Sequence, residues 1–298
     1  MKQPIDALQH VFEVGTHTLN LKSCDTKQAD GYVVEHLSFT TSLGEVARGI
    51  LTRPNANKPS PALLYIHAHG GRYDIGADEL LDGRGALLDP LGPVFARRGF
   101  VTLMLEMPAF GTRVSPDESA RSKAALWNGK SLAGQMLGEQ SAAFDWLAER
   151  PDVVADRIGV FGISMGATLG YWLAAVEPRI ACVAHLCCYA DFSKMIETGA
   201  HDLHGIYLTV PNLLNIATNG QIAGLIAPRP QFIAIGDRDP LTPPAAVNIA
   251  LSETRAAYAS AGANDALTIH READAGHFET PAMRAAMLEF FSRTLNNH

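Results

Sequence analysis

Short apolar runs alternate with longer amphipathic stretches through most of the chain. Ala62–His67 (ALLYIH), Phe100–Glu106 (FVTLMLE), Arg157–Phe161 (RIGVF), Ile180–Cys187 (IACVAHLC) and Gln231–Ile235 (QFIAI) read as buried strands, with Leu267–His270 as a shorter one. Near-continuous apolar runs of this length suit a parallel sheet covered on both faces. Upstream, Val33–Thr40 and Glu45–Thr52 read as an antiparallel pair leading into that core, followed by the turn-rich Pro54–Pro61 (PNANKPSP). Helical periodicity fills the gaps. Leu132, Met136, Phe144 and Leu147 share one stripe, and Met283, Met287, Phe290 and Leu295 share another. Such alternation, with right-handed crossovers, predicts an α/β architecture: a doubly wound, mostly parallel sheet. A single domain is expected over residues 1–298, in which residues 1–60 supply N-terminal strands and an extension with an N-terminal helix. Residues 191–228 form a connection of about 38 residues, long for a bare loop, and are expected to make a short helical lid insertion.

Composition narrows the class. Apolar residues make up 47% of the 298 and charged residues 18%, a balance that excludes a disordered chain. With 24 basic and 31 acidic side chains the net charge is −7, and no basic stripe is visible, which argues against a nucleic-acid partner. No apolar run approaches the roughly 20 residues that span a bilayer. The N-terminal MKQPIDALQHVFEVG lacks the apolar centre of a secretion signal, so no membrane partner and a cytoplasmic location are expected. Cys24, Cys182, Cys187 and Cys188 show neither a C-x-x-C pair nor zinc spacing, and are expected to be reduced core residues.

In doubly wound sheets the site lies at the carboxyl ends of the strands, which directs attention to the loops that follow them. After Phe161 comes Gly162-Ile163-Ser164-Met165-Gly166, a G-x-S-x-G sequence running directly into a helical pattern. A serine on such a sharp turn is thrust into the cleft, and the flanking glycines let strand and helix approach. The Met165 N–H then lies at a helix N-terminus, where it can stabilise an oxyanion. After His67 comes Ala68-His69-Gly70-Gly71-Arg72, in which Gly71, with Gly70 beside it, is the candidate for a second oxyanion N–H. His67 and His69 read as orienting or packing residues, since an isolated H-x-H is poor grounds for a metal site. After Ile235 the loop carries Asp237 and Asp239. Asp239, deeper and stiffened by the prolines that follow, is the candidate acid; Asp237 reads as a turn residue and Asp191 as a helix cap. His277, in Asp274-Ala275-Gly276-His277-Phe278, is the candidate base.

The segments HAHGGRY (67–73), FARRGFVTLMLEMPAFGTR (95–113), ERPDVVADRIGVFGISMGA (149–167), APRPQFIAIGDRDPLTP (227–243) and AGHFETP (275–281) resemble the α/β-hydrolase superfamily. Within it the chain looks like the branch of dienelactone hydrolase-like and acetyl xylan esterase-like serine hydrolases. The order Ser164, Asp239, His277 is that of the superfamily's triad. Dienelactone hydrolases proper carry a cysteine where this chain has Ser164, and Glu106 stands where relatives commonly have aspartate and reads as structural. The resemblance implies cleavage of small or medium carboxylic esters through an acyl-enzyme, with a small-molecule ester as partner and no cofactor or metal. The alternatives are a peptidase or amidase of the prolyl oligopeptidase-like type and a non-catalytic ligand-binding protein. Arg72, Tyr73, Trp127 and Tyr207 are candidate substrate contacts, whereas His201 and His204 read as lid surface. Homo-oligomer formation is left open.

Overall fold

The computed structural model describes residues 2–56 and 58–296. Asn57, in the expected turn, and Met1, Asn297 and His298, at the ends of the expected domain, lie outside the described residues. In chain order the elements are α1 (Lys2–Val11), β1 (Leu19–Ala29), β2 (Tyr32–Thr41), β3 (Val46–Pro54), β4 (Ser60–Ile66), α2 (Glu79–Asp82), α3 (Leu91–Arg97) and β5 (Val101–Leu105). Then follow α4 (Glu118–Trp127), α5 (Leu132–Ala148), β6 (Val153–Ile163), α6 (Met165–Val176) and β7 (Cys182–Leu186). α7 (Phe192–Thr198), α8 (Leu213–Ile216), α9 (Asn219–Gly224), β8 (Gln231–Gly236), α10 (Pro244–Ser260), β9 (Leu267–Glu272) and α11 (Pro281–Leu295) complete the chain.

Among the described residues the nine strands form one sheet in the order β1-β2-β3-β5-β4-β6-β7-β8-β9. The pairs from β5 to β9 are parallel, and β1, β2 and β3 add an antiparallel margin. This is the mostly parallel, doubly wound sheet that the apolar runs predict. Strand residues point alternately to the two faces, and the two cores follow that alternation. Ala62, Leu64 and Ile66 of β4 join the core under α5, α6 and α10, while Leu63 and Tyr65 join the core under α3 and α11. The predicted stripes of α5 (Leu132, Met136, Phe144, Leu147) and α11 (Met283, Met287, Phe290, Leu295) are buried.

Two features depart from the sequence reading. β1 is a full edge strand of 11 residues whose side chains are almost all exposed. Without a buried face it carries no alternation to read. Cys24 lies on this strand and is exposed, so it is not a core residue; Cys182, Cys187 and Cys188 are buried, and all four are free. Between β7 and β8, residues 191–228 carry the short helices α7, α8 and α9, in keeping with the helical insertion expected there.

Candidate active site

Ser164 occupies the turn between β6 and α6 with φ +58° and ψ −122°, a conformation that L residues avoid. Two glycines make this turn feasible. A Cβ on Gly162 would collide with the Gly166 carbonyl, and one on Gly166 would collide with the Ile66 carbonyl at the end of β4. The missing side chains thus let α6 start directly against β4 and β6. As the first helical residue, Met165 has an N–H without an intrahelical acceptor.

His277 Nε2 lies 2.8 Å from Ser164 Oγ, and His277 Nδ1 lies 2.6 Å from Asp239 Oδ2. The geometry suits a serine O–H donating to Nε2 while Nδ1–H donates to the carboxylate. Asp239 is 2% exposed, and its other oxygen accepts the Leu241 N–H at 2.9 Å. The loops carrying acid and imidazole are stitched together, since the Arg238 N–H donates to the Ala275 carbonyl at 2.9 Å. Asp237 pairs with Arg271 on the surface side, and Asp191 caps α7 through the Lys194 N–H. Three residues 113 positions apart at the extremes thus converge on one point. Among the described residues one trio of metal-competent side chains occurs, Cys187, Asp239 and His277, with ligand atoms within 4.8 Å of one another. Two of the three already share the 2.6 Å hydrogen bond.

The loop after β4 is arranged differently from expectation. The Gly71 N–H, expected to face an oxyanion, donates to His69 Nδ1 at 3.0 Å instead. Among the described residues the His69 N–H itself has no protein partner. His69 Nε2 lies 2.8 Å from Glu118 Oε2, and its ring stacks on Tyr207 with centroids 5.6 Å apart. Tyr73 donates its hydroxyl to the same Glu118 oxygen at 2.6 Å and stacks on Phe110. Glu118 also accepts the Tyr207 N–H at 2.9 Å. Burial by itself would raise the Glu118 carboxyl, but hydrogen bonds from His69, Tyr73 and Tyr207 outweigh it and hold the group below its ordinary value. Burial and the hydrogen bond to Glu118 push the Tyr73 phenol up to about 12. Sequence reasoning missed Glu118, which sits in a polar stretch with no motif around it.

The remaining candidates are divided. Tyr207 is buried against His69. Arg72 is exposed and forked onto Asp74 at 2.9 and 2.7 Å. Trp127 is 90% exposed at the far end of α4 from Glu118, about 14 Å along the helix axis. His201 is exposed and His204 bonds the Leu241 carbonyl at 3.0 Å. A cleft of about 440 Å³ opens within residues 192–214, lined by Phe192, Met195, His204, Ile206 and Leu213 but not by Ser164. Glu106 is fully buried and receives Arg48 and the Thr112 N–H, so it pins the loop after β5.

The family model described as X-Pro dipeptidyl-peptidase (S15 family) matches residues 49–223. YtaP of Bacillus subtilis (strain 168), named as a hydrolase, is 34% identical over 279 residues, or 93% of each chain. The solved glucuronoyl esterase from Solibacter usitatus is similar with a TM-score of 0.73 at 15% identity, covering 97% of this chain and 91% of that one. Acetyl xylan esterase 1 from Thermoanaerobacterium sp. JW/SL YS485 is similar with a TM-score of 0.65 at 17% identity, covering 98% of this chain and 93% of that one. At these identities the two structures establish a shared fold.

Proposed function

Because the chain belongs to the S15 family of α/β-hydrolases, we propose that it is a serine hydrolase that cleaves small or medium carboxylic esters. The observation that carries this reading is the continuous hydrogen-bond chain Ser164–His277–Asp239, with the serine held at positive φ on the N-terminus of α6. Ser164 Oγ attacks the acyl carbonyl while His277 takes its proton. Asp239 holds the imidazole tautomer and stabilises the imidazolium that forms. The Met165 and His69 N–H groups, both without a protein acceptor, receive the negative oxygen of the tetrahedral intermediate; His69 replaces Gly71, whose N–H is occupied. His277 then protonates the leaving alcohol, and water attacks the acyl-enzyme by the reverse of the same steps. Tyr73 and Tyr207 form the wall beside the acyl group.

Esterases among the structural relatives support the ester reading. The family description favours a second one, release of an X-Pro dipeptide from a peptide N-terminus. Among the described residues no helix is long and apolar enough to cross a membrane. Four free cysteines support a cytoplasmic location. Residues 1–298 act as one catalytic domain, with 191–228 as the cover over its serine.

Hydrolysis of p-nitrophenyl esters and of Ala-Pro-p-nitroanilide, by wild type and Ser164→Ala, tests the proposal. Ester turnover is expected in the wild type, falling by at least about 10³-fold in the mutant. Turnover of the anilide alone would establish the peptidase reading. A folded wild type that turns over neither and resists a fluorophosphonate would refute serine hydrolysis altogether.

A further inference from the structure

Glu118 has no part in the Ser164–His277–Asp239 chain, yet three elements meet on its carboxylate. His69 and Tyr73 come from the loop after β4, Tyr207 comes from the excursion between β7 and β8, and Glu118 itself opens α4. Glu118 is 4% exposed, and the partners of its carboxylate present donors: an imidazole N–H and a phenol O–H on Oε2, a main-chain N–H on Oε1. Since a carboxylate only accepts, His69 must carry its proton on Nε2. Its Nδ1 is then a lone pair, and that lone pair accepts the Gly71 N–H at 3.0 Å. One charge therefore sets a tautomer, and the tautomer sets the course of the backbone through Gly70 and Gly71, both at positive φ (+54° and +67°). The fit is close on the side of Gly205. A Cβ on Gly205 would come within 2.5 Å of Glu118 Oε1 and 3.0 Å of His69 Nε2.

We propose that Glu118 is a positioning residue that fixes the tautomer of His69, holds the His69 main-chain N–H where the acyl oxygen develops charge, and docks Tyr207 over it. This rests on the serine-hydrolase reading above. The argument makes glutamine a sharp probe. An amide of the same shape has one accepting oxygen and one donating nitrogen. With its oxygen towards His69 and Tyr73, its NH₂ meets the Tyr207 N–H, donor against donor. With the amide reversed, His69 must accept on Nε2, carry its proton on Nδ1 and expel the Gly71 N–H. Neither orientation satisfies both sides.

The experiment compares wild type, Glu118→Gln and Glu118→Asp on p-nitrophenyl acetate. It adds the second-order rate of labelling by a fluorophosphonate, whose phosphoryl oxygen uses the same N–H donors, and the thermal midpoint of each protein. Expected for Glu118→Gln is a fall in kcat of about 10- to 100-fold, a parallel fall in labelling rate, and KM within about threefold of wild type. Glu118→Asp keeps the charge with shorter reach and should lie between the two. A kcat and labelling rate within twofold of wild type in Glu118→Gln would overturn the assignment, as would a loss confined to KM. Should Glu118→Gln fail to fold, the Asp variant decides: reduced kcat with an unchanged midpoint supports the assignment, and unchanged kcat overturns it. A wild type inert to both ester and fluorophosphonate would instead sink the serine-hydrolase reading, so the two failures are separable.

Discussion

At the scale of single residues, two glycines on either side of the serine turn differ in kind from those after β4. Gly166 is excluded from carrying a side chain by the backbone of β4 itself, whereas a Cβ on Gly71 would meet open space at φ +67°. Gly166→Ala should therefore prevent β4, β6 and α6 from coming together, with no soluble folded protein recovered. Gly71→Ala should fold with a loss of about 1–2 kcal/mol from the left-handed backbone alone; denaturant melts of both variants distinguish the two cases. Buried imidazoles give a second expectation. Burial pushes His67 and His185 down to about 3, so both are neutral in the folded protein and free to protonate once unfolded. Their contribution is complete above about pH 6.5 and is lost as pH falls from there towards about 3, at about 1.4 kcal/mol per pH unit per imidazole. His185→Gln should make the decline between pH 6.5 and 5 shallower by about one proton. A slope unchanged from wild type would mean that His185 protonates without unfolding.

At the scale of elements, buried ion pairs fasten the loop after β5 to its neighbours. Arg113 is 4% exposed and reaches both oxygens of Glu139 on α5, Glu45 in the β2–β3 turn and the Glu106 carbonyl. Removing the cation strands Glu139, which is fully buried, without its charged partner. Arg113→Met should cost about 3–5 kcal/mol in urea unfolding, and a loss below about 1 kcal/mol would show that water reaches Glu139. The elements differ in how plainly the chain announces them. β4, β7 and β8 are buried on both faces and read as apolar runs, and α5 and α11 read as stripes. β1 is held chiefly by its pairing with β2, with only its end residues Leu19 and Ala29 packed on the cores, and a ladder of backbone hydrogen bonds leaves no trace in residue type.

Across the whole molecule, the carboxyl ends of β4, β6 and β8 and the loop after β9 open at one crevice, and the turns of residues 191–228 reach across to it. His204 bonds the loop that carries Asp239, and Tyr207 stacks on His69. The rings of His69, Tyr73, Phe110 and Tyr207 pack on one another at centroid distances of 4.9 to 5.6 Å, filling the space beside the loop after β4. Short acyl chains should therefore be preferred. The expected order of kcat/KM on p-nitrophenyl esters is acetate and butyrate well above octanoate, and an octanoate optimum would require this wall to open on binding.

What this chain settles by itself is whatever depends on neighbours along it. Apolar runs bounded by turns specify the buried strands, and glycines spaced two either side of Ser164 specify the strained turn. The loops bearing Asp239 and His277 follow strands that can be read directly. What only the tertiary structure decides is which distant groups meet. Asp239 rather than Asp237 meets His277, where the Arg238–Ala275 hydrogen bond joins two loops 37 positions apart. The Gly71 N–H is occupied because Glu118, 49 positions from His69, dictates the imidazole's tautomer. Cys24 is exposed because β1 lies at the sheet margin. Local patterning records burial and backbone preference, whereas a hydrogen bond across the crevice depends on two surfaces that no stretch of sequence contains together.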